Sequence, residues 1–471
     1  MLFVAVRTMR RPMRAPFEHL IGNLPSATLA GAERGKAVVR VTNSHEHGVA
    51  GSAVEDSRHE VSRARGNVAA GFEQVRVEFE RNFAERGEIG AAVCAYWHGE
   101  KVVDLWGGRR RPDGDAPWQE DTMIVVNSTT KGVSAMTLAV ANARGWLDYD
   151  APVARYWPEF AQAGKQSITV RQLLGHEAGL VWLDEELSID RLRDLDALAR
   201  LLARQKPAWP PGTRHGYHAM TVGLYMQELI RRTDPAHRTL GRFFREEIAA
   251  PLGLDLWIGL PPEIPAERLA TLVTFSTARA LRALPSTPRP MLLRVLWPWS
   301  LLRRSMLALG ADPNDRRYLE VEVPAGNGVG TARSIARLYS VFAEGGAELG
   351  VGARTMANVT APPPANRARD VVMGVPSYYS LGFIRPGPTP SFGSSPRAFG
   401  TPGAGGSFAF ADPDARVGYA YVMNKMGYHM FDDPREKALR DALYRAIATL
   451  EQARSPRPES APLMEAALSR A

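Results

Sequence analysis

The sequence contains very little cysteine and little lysine. Cys94 is its one cysteine, so the chain cannot form an internal disulfide. It lies in the apolar run IGAAVCAYW and is expected to be a small buried hydrophobic residue. The formal net charge of +8 comes almost entirely from arginine, because only seven of the 471 residues are lysine. No basic stripe with interleaved aromatic residues occurs, which argues against nucleic acid as a partner.

Motifs for metals, phosphates and one common hydrolase fold are also absent. The stretches HEHG at 45–48 and HEAG at 176–179 lack the second histidine of the zinc motif His-Glu-x-x-His. The stretch GGSFA at 405–409 fails the Gly-x-Ser-x-Gly elbow of α/β-hydrolases at its last position. No phosphate-binding loop is present. We therefore predict no metal site and no cofactor.

Long apolar runs are missing as well. No stretch reaches the ~18–20 apolar residues that a membrane-spanning helix needs. The start MLFVAVRTMRR places a short apolar run before its arginines, the reverse of a secretory signal, so we predict a cytoplasmic protein. The segment 291–309, MLLRVLWPWSLLRRSMLAL, has two interpretations. It is either a pair of cap helices over a cleft or a face for peripheral membrane, lipid or acyl-chain contact. Nothing indicates an oligomeric state.

The order of periodic segments predicts the fold class. Residues 1–65 lack periodicity and are predicted to be a flexible leader, and 453–471 a loose tail. Between them, a predicted helix is followed by a β-hairpin made of IGAAVCAYW and KVVDLWG. Strands return near the end of the chain in RAFGTPGAGGSFAFADPDARVGYAYVMNKM, with one bend at Asp412-Pro413-Asp414. A last amphipathic helix follows these strands. Helices are predicted in the middle of the chain, at 128–145, 169–175, 190–204, 219–232 and 239–250.

We therefore predict one α/β (α+β) domain over 66–452. Both chain ends join in an antiparallel sheet flanked by the terminal helices, which makes a sheet lobe of about 66–120 and 325–452. A mostly helical lobe of about 121–324 carries an apolar cap insert at about 285–310. A functional site is expected in the cleft between the lobes.

The stretch NSTTKG at 127–132 suggests a nucleophile. If Ser128 opens a helix, Lys131 lies one turn further on the same face, close to free backbone N–H groups. A serine needs a base to take its proton, and a lysine can serve when burial disfavours its charge. The motif alone is weak, because with seven lysines one chance Ser-x-x-Lys is roughly a one-in-three event. Ser128 could equally be a plain N-cap.

Two further elements fit the same chemistry. Tyr217 follows a Pro-Gly turn, and its phenol could relay protons near Lys131; a packing tyrosine is the alternative. The glycines of FGTPGAGGSFAF at 399–410 would let backbone approach a ligand, and the N–H near Ala404 could pair with that of Ser128 as an oxyanion hole. A plain turn before a strand is the alternative. On this interpretation Thr401, Gly403 and Gly405 are predicted to bind substrate.

Together these elements resemble the serine β-lactamase/penicillin-binding protein superfamily, and most closely the class C β-lactamase-like esterases, the family VIII carboxylesterases. The resemblance extends over about residues 66–450 and includes the phrases GFEQVRVEFERNF, VVDLWGG, QLLGHEAGL, PAGNGVGTARSIARLY and GYAYVMNKM. It implies a β-lactamase-like fold in which Ser128 is acylated. It also implies that Lys131 and Tyr217 assist, and that the third motif of the family is Thr401-Pro402-Gly403.

Two departures from the family pattern bear on the substrate. Ala219 stands where β-lactamases of this class carry an asparagine that contacts the lactam side-chain amide. Thr401 replaces the lysine or histidine of the third motif, which removes a cation for a substrate carboxylate. We therefore predict a serine hydrolase for small-molecule carboxylic esters with short to medium, or lipid-like, acyl groups. The alternatives are a β-lactamase or D,D-peptidase, and a non-catalytic membrane- or ligand-binding protein on the same fold.

Overall fold

The computed structural model describes residues 64–274, 293–294, 297, 299–306, 311–363 and 369–454. Most of the predicted leader and tail, and parts of the predicted cap insert, lie outside these residues. Both outer boundaries need a small correction. Arg65, predicted as leader, begins the first strand, and the last helix continues to Arg454 instead of ending before 453.

The described residues form one large and one small sheet. Eight strands make an antiparallel sheet in the order β1-β3-β2-β11-β10-β9-β8-β7, and β4-β6-β5 make the small sheet. The strands are β1 (Arg65–Val68), β2 (Gly90–Trp97), β3 (Glu100–Gly108), β4 (Ile124–Val125), β5 (Leu256–Trp257), β6 (Val329–Gly330), β7 (Tyr379–Ser380), β8 (Phe383–Ile384), β9 (Phe399–Pro402), β10 (Phe408–Asp412) and β11 (Val417–Met423). The predicted antiparallel sheet from both chain ends is thus confirmed, because β2 and β11 pair at its centre with Cys94 opposite Ala420.

Helices cover both faces of the large sheet. The helices are α1 (Glu73–Ala84), α2 (Thr130–Ala143), α3 (Val170–Leu174), α4 (Ile189–Arg193), α5 (Leu195–Arg204), α6 (Thr221–Thr233), α7 (Leu240–Phe244), α8 (Leu301–Met306), α9 (Arg316–Glu320), α10 (Ala332–Ala343), α11 (Ala353–Thr360) and α12 (Pro434–Arg454). Gly418 lies against α10, since a Cβ there would be 2.3 Å from Ser340 N. The next residue, Tyr419, points its hydroxyl at the Glu436 carbonyl of α12. Neighbouring residues of a strand face opposite sides, so α10 and α12 cover opposite faces.

Helix α1 joins α12 on the same side, as predicted for the terminal helices. The Asn82 amide of α1 donates to the carbonyl of Arg435 at 3.1 Å. Leu450 of α12 packs on Gly71, just before α1 begins. The N-terminal and C-terminal elements among the described residues therefore meet at both the sheet and its covering helices.

Three predicted segments are divided differently in the structure. The helix predicted at 190–204 is interrupted at Asp194, whose carboxylate caps α5 by accepting from the Ala197 N–H at 2.9 Å. The helix predicted at 239–250 is α7 followed by a π-helical turn over Arg245–Ala249. The C-terminal strands have two turns and not one, because a turn at 403–407 separates β9 from β10 before the bend at Asp412.

Candidate functional site

Ser128 lies in a tight turn that leads into α2. Asn127 has a φ of 48°, a left-handed conformation that asparagine tolerates better than most residues. Ser128 follows in a short 3₁₀ turn, Asn127–Thr129, and α2 begins at Thr130. The Val126 N–H donates to the Gly328 carbonyl at 2.9 Å, which ties this turn to the small sheet. Ser128 is partly exposed, so its hydroxyl can meet a ligand from the cleft.

Lys131 is buried directly beside Ser128. Its Nζ lies 3.0 Å from Ser128 Oγ and donates to the Ala325 carbonyl at 2.6 Å. Burial lowers the pKa of Lys131 to about 7, because no carboxylate compensates the cost of desolvating the ammonium. A neutral amine has two N–H groups and one lone pair. It can therefore bind the Ala325 carbonyl and still accept a proton from Ser128.

Tyr217 completes a cluster of three side chains. Its ring lies 5.0 Å from Lys131 Nζ. Burial raises the pKa of the Tyr217 hydroxyl to about 12, while the nearby Ser128 side chain opposes that rise. The phenol is therefore neutral near pH 7 and suited to relaying a proton. The structure thus brings together the three residues that the sequence predicted as catalytic.

Asp370 holds the Tyr217 segment in place and was missed by sequence reasoning. Its buried carboxylate accepts from the N–H groups of Tyr217 at 2.9 Å, Val372 at 2.7 Å and Met373 at 2.8 Å. Burial raises the pKa of Asp370 to about 6, and these donors oppose the rise. Nothing in the sequence around Asp370 connects it to Tyr217, which lies 153 positions earlier.

An aromatic and imidazole layer supports Tyr217 from the side. Tyr379 stacks on its ring with 5.7 Å between the ring centroids, and His176 lies 5.3 Å away. His176 Nδ1 accepts from the His218 N–H at 3.0 Å. Burial holds the pKa of His176 well below its usual range, so the ring stays neutral. His176 thus supports the site structurally and does not contribute charge.

The turn between β9 and β10 lies against the Ser128 turn. The Asn127 amide donates to the Ala404 carbonyl at 2.8 Å, and Ser407 Oγ donates to the Val126 carbonyl at 2.9 Å. No described residue accepts a hydrogen bond from the Ala404 N–H. That N–H lies in the turn at 403–407. It remains available as an oxyanion donor next to Ser128.

Gly403 makes this close approach possible. A Cβ at Gly403 would lie 2.1 Å from Ser407 Oγ, 2.4 Å from the Val126 carbonyl and 2.9 Å from Thr129 Oγ1. Real Cβ atoms do not approach backbone oxygens so closely, so a side chain here would push the turn away from Ser128. Packing within the protein therefore accounts for a glycine at position 403, and its contact with substrate stays a prediction.

Gly403→Ala is accordingly expected to lower ester turnover by about 10-fold or more, since a displacement of about 1 Å can have a large catalytic effect. Steady-state kinetics would show the loss mainly in kcat. Gly352→Ala is the matched control, because nothing lies within 4 Å of a Cβ there and its φ is negative. Equal kcat values for the two variants would show that the turn does not act on the reaction.

Packing within the protein accounts for Thr401 and Gly405, and their contact with substrate stays a prediction. The Thr401 side chain is buried, and a Cβ on Gly132 would lie 2.7 Å from its Oγ1. The Gly405 carbonyl accepts from the Gly427 N–H at 2.7 Å and from the Arg435 guanidinium at 3.0 Å. Close packing accounts for both residues, as it does for Gly403.

The described part of the predicted cap insert packs near Tyr217. Leu302 of α8 is buried in a small apolar cluster with Trp209 and Val372, and Tyr217 and Met306 pack against that cluster. The Arg304 guanidinium lies 3.6 Å from the centre of the Trp182 ring. Helix α8 therefore covers one side of the site, as the cap interpretation expects. Of the first half of the predicted helix pair, the structure describes only residues 293–294, 297 and 299–300.

Groups that could hold a metal ion do not occur in the part of the chain that the structure describes. The same residues contain no helix long and apolar enough to cross a membrane.

The sheet order and a serine beside a buried lysine define a class, the hydrolases with the serine β-lactamase fold. The chain belongs to the beta-lactamase family, whose model matches residues 78–444. The esterase/beta-lactamase LipL of Mycobacterium tuberculosis is 34% identical over 354 residues, which are 74% of this chain and 80% of LipL.

Solved structures agree with this assignment. A family VIII carboxylesterase is 38% identical with a TM-score of 0.69, covering 81% of this chain and 99% of that one. A penicillin-binding protein homologue from Caulobacter crescentus is 37% identical with a TM-score of 0.69 and the same coverage. These findings confirm the resemblance and the fold class predicted from the sequence, and the esterase names among the relatives support ester hydrolysis in general.

Proposed function

We propose that the protein hydrolyses carboxylic esters through an acyl-enzyme on Ser128. The observation that carries the proposal is the 3.0 Å separation of Lys131 Nζ and Ser128 Oγ, at a lysine whose pKa burial lowers to about 7. A serine becomes a nucleophile when a neighbouring base takes its proton. A lysine with that pKa is about half deprotonated at neutral pH and can be this base.

In the proposed reaction Ser128 Oγ attacks the ester carbonyl carbon while its proton passes to Lys131. We propose Lys131 and not Tyr217 as the first base, because the phenol with a pKa of about 12 holds its proton at neutral pH. The oxyanion of the tetrahedral intermediate accepts from the N–H groups of Ser128 and Ala404. As the C–O bond breaks, the leaving alkoxide takes a proton from Tyr217, which is reprotonated from Lys131.

Water completes the cycle. It loses a proton to Lys131 as it attacks the acyl carbon, and the free acid leaves as Ser128 regains its proton.

Two departures of this chain from the β-lactamase motifs support an ester over a lactam as the substrate. Ala219 is buried and offers no amide to a lactam side chain, and the buried Thr401 offers no cation to a carboxylate. The name of the family VIII carboxylesterase is in line with this choice, and the name of LipL gives both an esterase and a β-lactamase.

Turnover of p-nitrophenyl esters of increasing acyl length, compared with a chromogenic cephalosporin, tests the proposal. We expect kcat/KM for the best ester to exceed that for the cephalosporin by at least about 100-fold, a difference of roughly 3 kcal/mol in transition-state binding. Faster cephalosporin turnover would favour a β-lactamase instead. No turnover of either substrate, together with no labelling of Ser128 by a fluorophosphonate, would favour a non-catalytic binding protein.

A further inference from the structure

The turn at 403–407, which carries the N–H of Ala404, has a backbone with few restraints of its own. Gly405 and Gly406 follow Ala404 with φ angles of 95° and 117°. Glycine adopts positive φ angles about as readily as negative ones, so two successive glycines give a turn many accessible conformations. Contacts from outside the turn are therefore needed to select the conformation that keeps the Ala404 N–H beside Ser128.

Two different parts of the chain hold the peptide groups around Ala404. The Ala404 carbonyl accepts from the Asn127 amide at 2.8 Å, which ties the turn to the residue before Ser128. The next carbonyl, that of Gly405, accepts from the Gly427 N–H at 2.7 Å and from Arg435 Nη2 at 3.0 Å. Ala404 is exposed, whereas Gly405 and Arg435 are buried. The arginine thus holds the turn from inside the protein.

Arg435 uses every N–H group of its guanidinium. Nε and Nη2 donate to the two carboxylate oxygens of Asp433, each at 2.9 Å, and Nη1 donates to Glu88 at 3.1 Å and to the Lys425 carbonyl at 2.8 Å. The contact with Gly405 takes the fifth N–H. Both carboxylates are buried, so these charge-assisted bonds fix the plane of the guanidinium. A rigid fork held by four bonds therefore presents its remaining N–H to Gly405.

The ion pair of Arg435 and Asp433 also packs directly on the backbone of the turn. A Cβ at Gly406 would lie 2.9 Å from Asp433 Oδ2 and 3.1 Å from Arg435 Nη2. A Cβ at Gly427 would lie 2.1 Å and 2.6 Å from the same two atoms. Glycine at both positions therefore lets the ion pair approach closely enough for the contact with Gly405.

We propose that Arg435 is a positioning residue of the oxyanion hole. It acts through the Gly405 carbonyl, which fixes the turn and with it the Ala404 N–H. The inference rests on the proposed function and deepens it, since this donor matters only where an oxyanion forms. Because the oxyanion is present in the transition state and absent from the bound ester, a disturbed Arg435 should lower kcat and leave KM nearly unchanged.

Arg435→Lys tests the role of the fork. Lysine keeps the positive charge between the two carboxylates, but its three donors share one nitrogen and cannot serve five acceptors. We expect kcat for the best short ester to fall by about 10- to 100-fold, less than the ~10²–10³-fold typical of removing an oxyanion donor outright. KM should stay within about threefold of wild type. A trifluoromethyl ketone, which forms a tetrahedral oxyanion on the serine, should inhibit more weakly by a factor similar to the loss of kcat.

Arg440→Lys is the matched control. Arg440 lies on the same helix as Arg435, is also buried and pairs with two carboxylates, Asp432 and Glu436. None of its hydrogen bonds with described residues reaches the turn at 403–407. Any loss of stability from exchanging a buried arginine should therefore lower the thermal unfolding midpoint of both variants. The losses of kcat and of ketone affinity should appear only in Arg435→Lys.

Asp433→Asn is a milder second variant in case Arg435→Lys does not fold. Asparagine has the same size and keeps one oxygen acceptor for Arg435, but it loses the charge and the second acceptor. The fork is then held less firmly against Gly405. We expect kcat to fall by about 3- to 10-fold with KM unchanged, between the wild type and Arg435→Lys.

Two results would overturn the inference. One is that kcat and ketone inhibition in the folded Arg435 variant, or in Asp433→Asn, equal those of the wild type. The other is a raised KM with unchanged kcat, which would assign Arg435 to binding of the intact ester. A wild-type chain that turns over no ester and is not labelled at Ser128 would refute the proposed hydrolysis, and this inference with it. An active wild type beside an unimpaired Arg435→Lys would remove only the role of Arg435.

Discussion

Ser128→Ala is expected to abolish ester turnover, with kcat lower by about 10³-fold or more, because it removes the proposed nucleophile of the acyl intermediate. The substitution removes one oxygen at a partly exposed position, so the thermal unfolding midpoint should change little. Steady-state kinetics on the best short ester measure the loss of turnover. Fluorophosphonate labelling followed by peptide mass spectrometry identifies the reactive serine. Label should appear on the peptide with Ser128 and be absent from the variant.

A control serine makes the result specific. Ser167→Ala changes an exposed serine elsewhere in the helical lobe and should leave both turnover and labelling unchanged. Turnover of Ser128→Ala within a few-fold of wild type would place the nucleophile at another residue. Loss of turnover with a markedly lower unfolding midpoint would instead show that Ser128 supports the fold.

Replacing Lys131 by methionine should lower kcat/KM by the ~10²–10⁴-fold that is typical of losing a general base. Methionine keeps an unbranched apolar stem in the buried site and removes the amine. The wild-type pH profile should rise as Lys131 loses its proton, with a midpoint near its pKa of about 7, because the neutral amine is the proposed base. Activity is thus expected to be low at pH 5 and close to its maximum above pH 8, and the variant should lack this rise.

Lys165 offers a matched control for burial of a lysine. Its Nζ donates to the carbonyls of Gln162, Ala203 and Gln205 at 2.8–3.0 Å, and burial lowers its pKa to about 8. Lys165→Met should leave the pH profile unchanged and reduce the free energy of unfolding by about 1–3 kcal/mol, since buried carbonyls lose their donor. A wild-type profile that stays flat from pH 5 to 8 would mean that Lys131 is not the base.

The sequence was sufficient for those features that depend on local pattern. The hairpin of β2 and β3 follows from two apolar runs joined by the short His98-Gly99 turn. The position of Ser128 before a helix follows from the change in apolar periodicity, and the structure places the helix start two residues later. Lys131 is brought to Ser128 by helical spacing alone, so its place beside the serine could be expected.

Features that depend on distant segments were not accessible in the same way. Asp370 contacts Tyr217 only because two loops that are distant in the sequence pack together, and the periodicity of apolar residues does not predict such a contact. The sequence predicts that Gly403 and Gly405 contact substrate, and the structure shows a protein neighbour for each, Val126 for Gly403 and Gly427 for Gly405. A glycine in a sequence shows that a side chain is absent, but it does not show whether protein or ligand fills the space.

The pairing of β2 with β11 has a consequence for the timing of synthesis. The free edge of β2 stays without its partner until residues 417–423 have been translated, about 15–60 s later at common elongation rates. The turn that supports Ser128 is also late, because Ser407 lies 278 positions after its contact Thr129. A nascent chain therefore carries its serine and lysine for most of translation without the backbone that would make them reactive. Meanwhile an open strand edge is exposed that can pair with other chains, so the newly made protein has most need of chaperone protection before its last strands emerge.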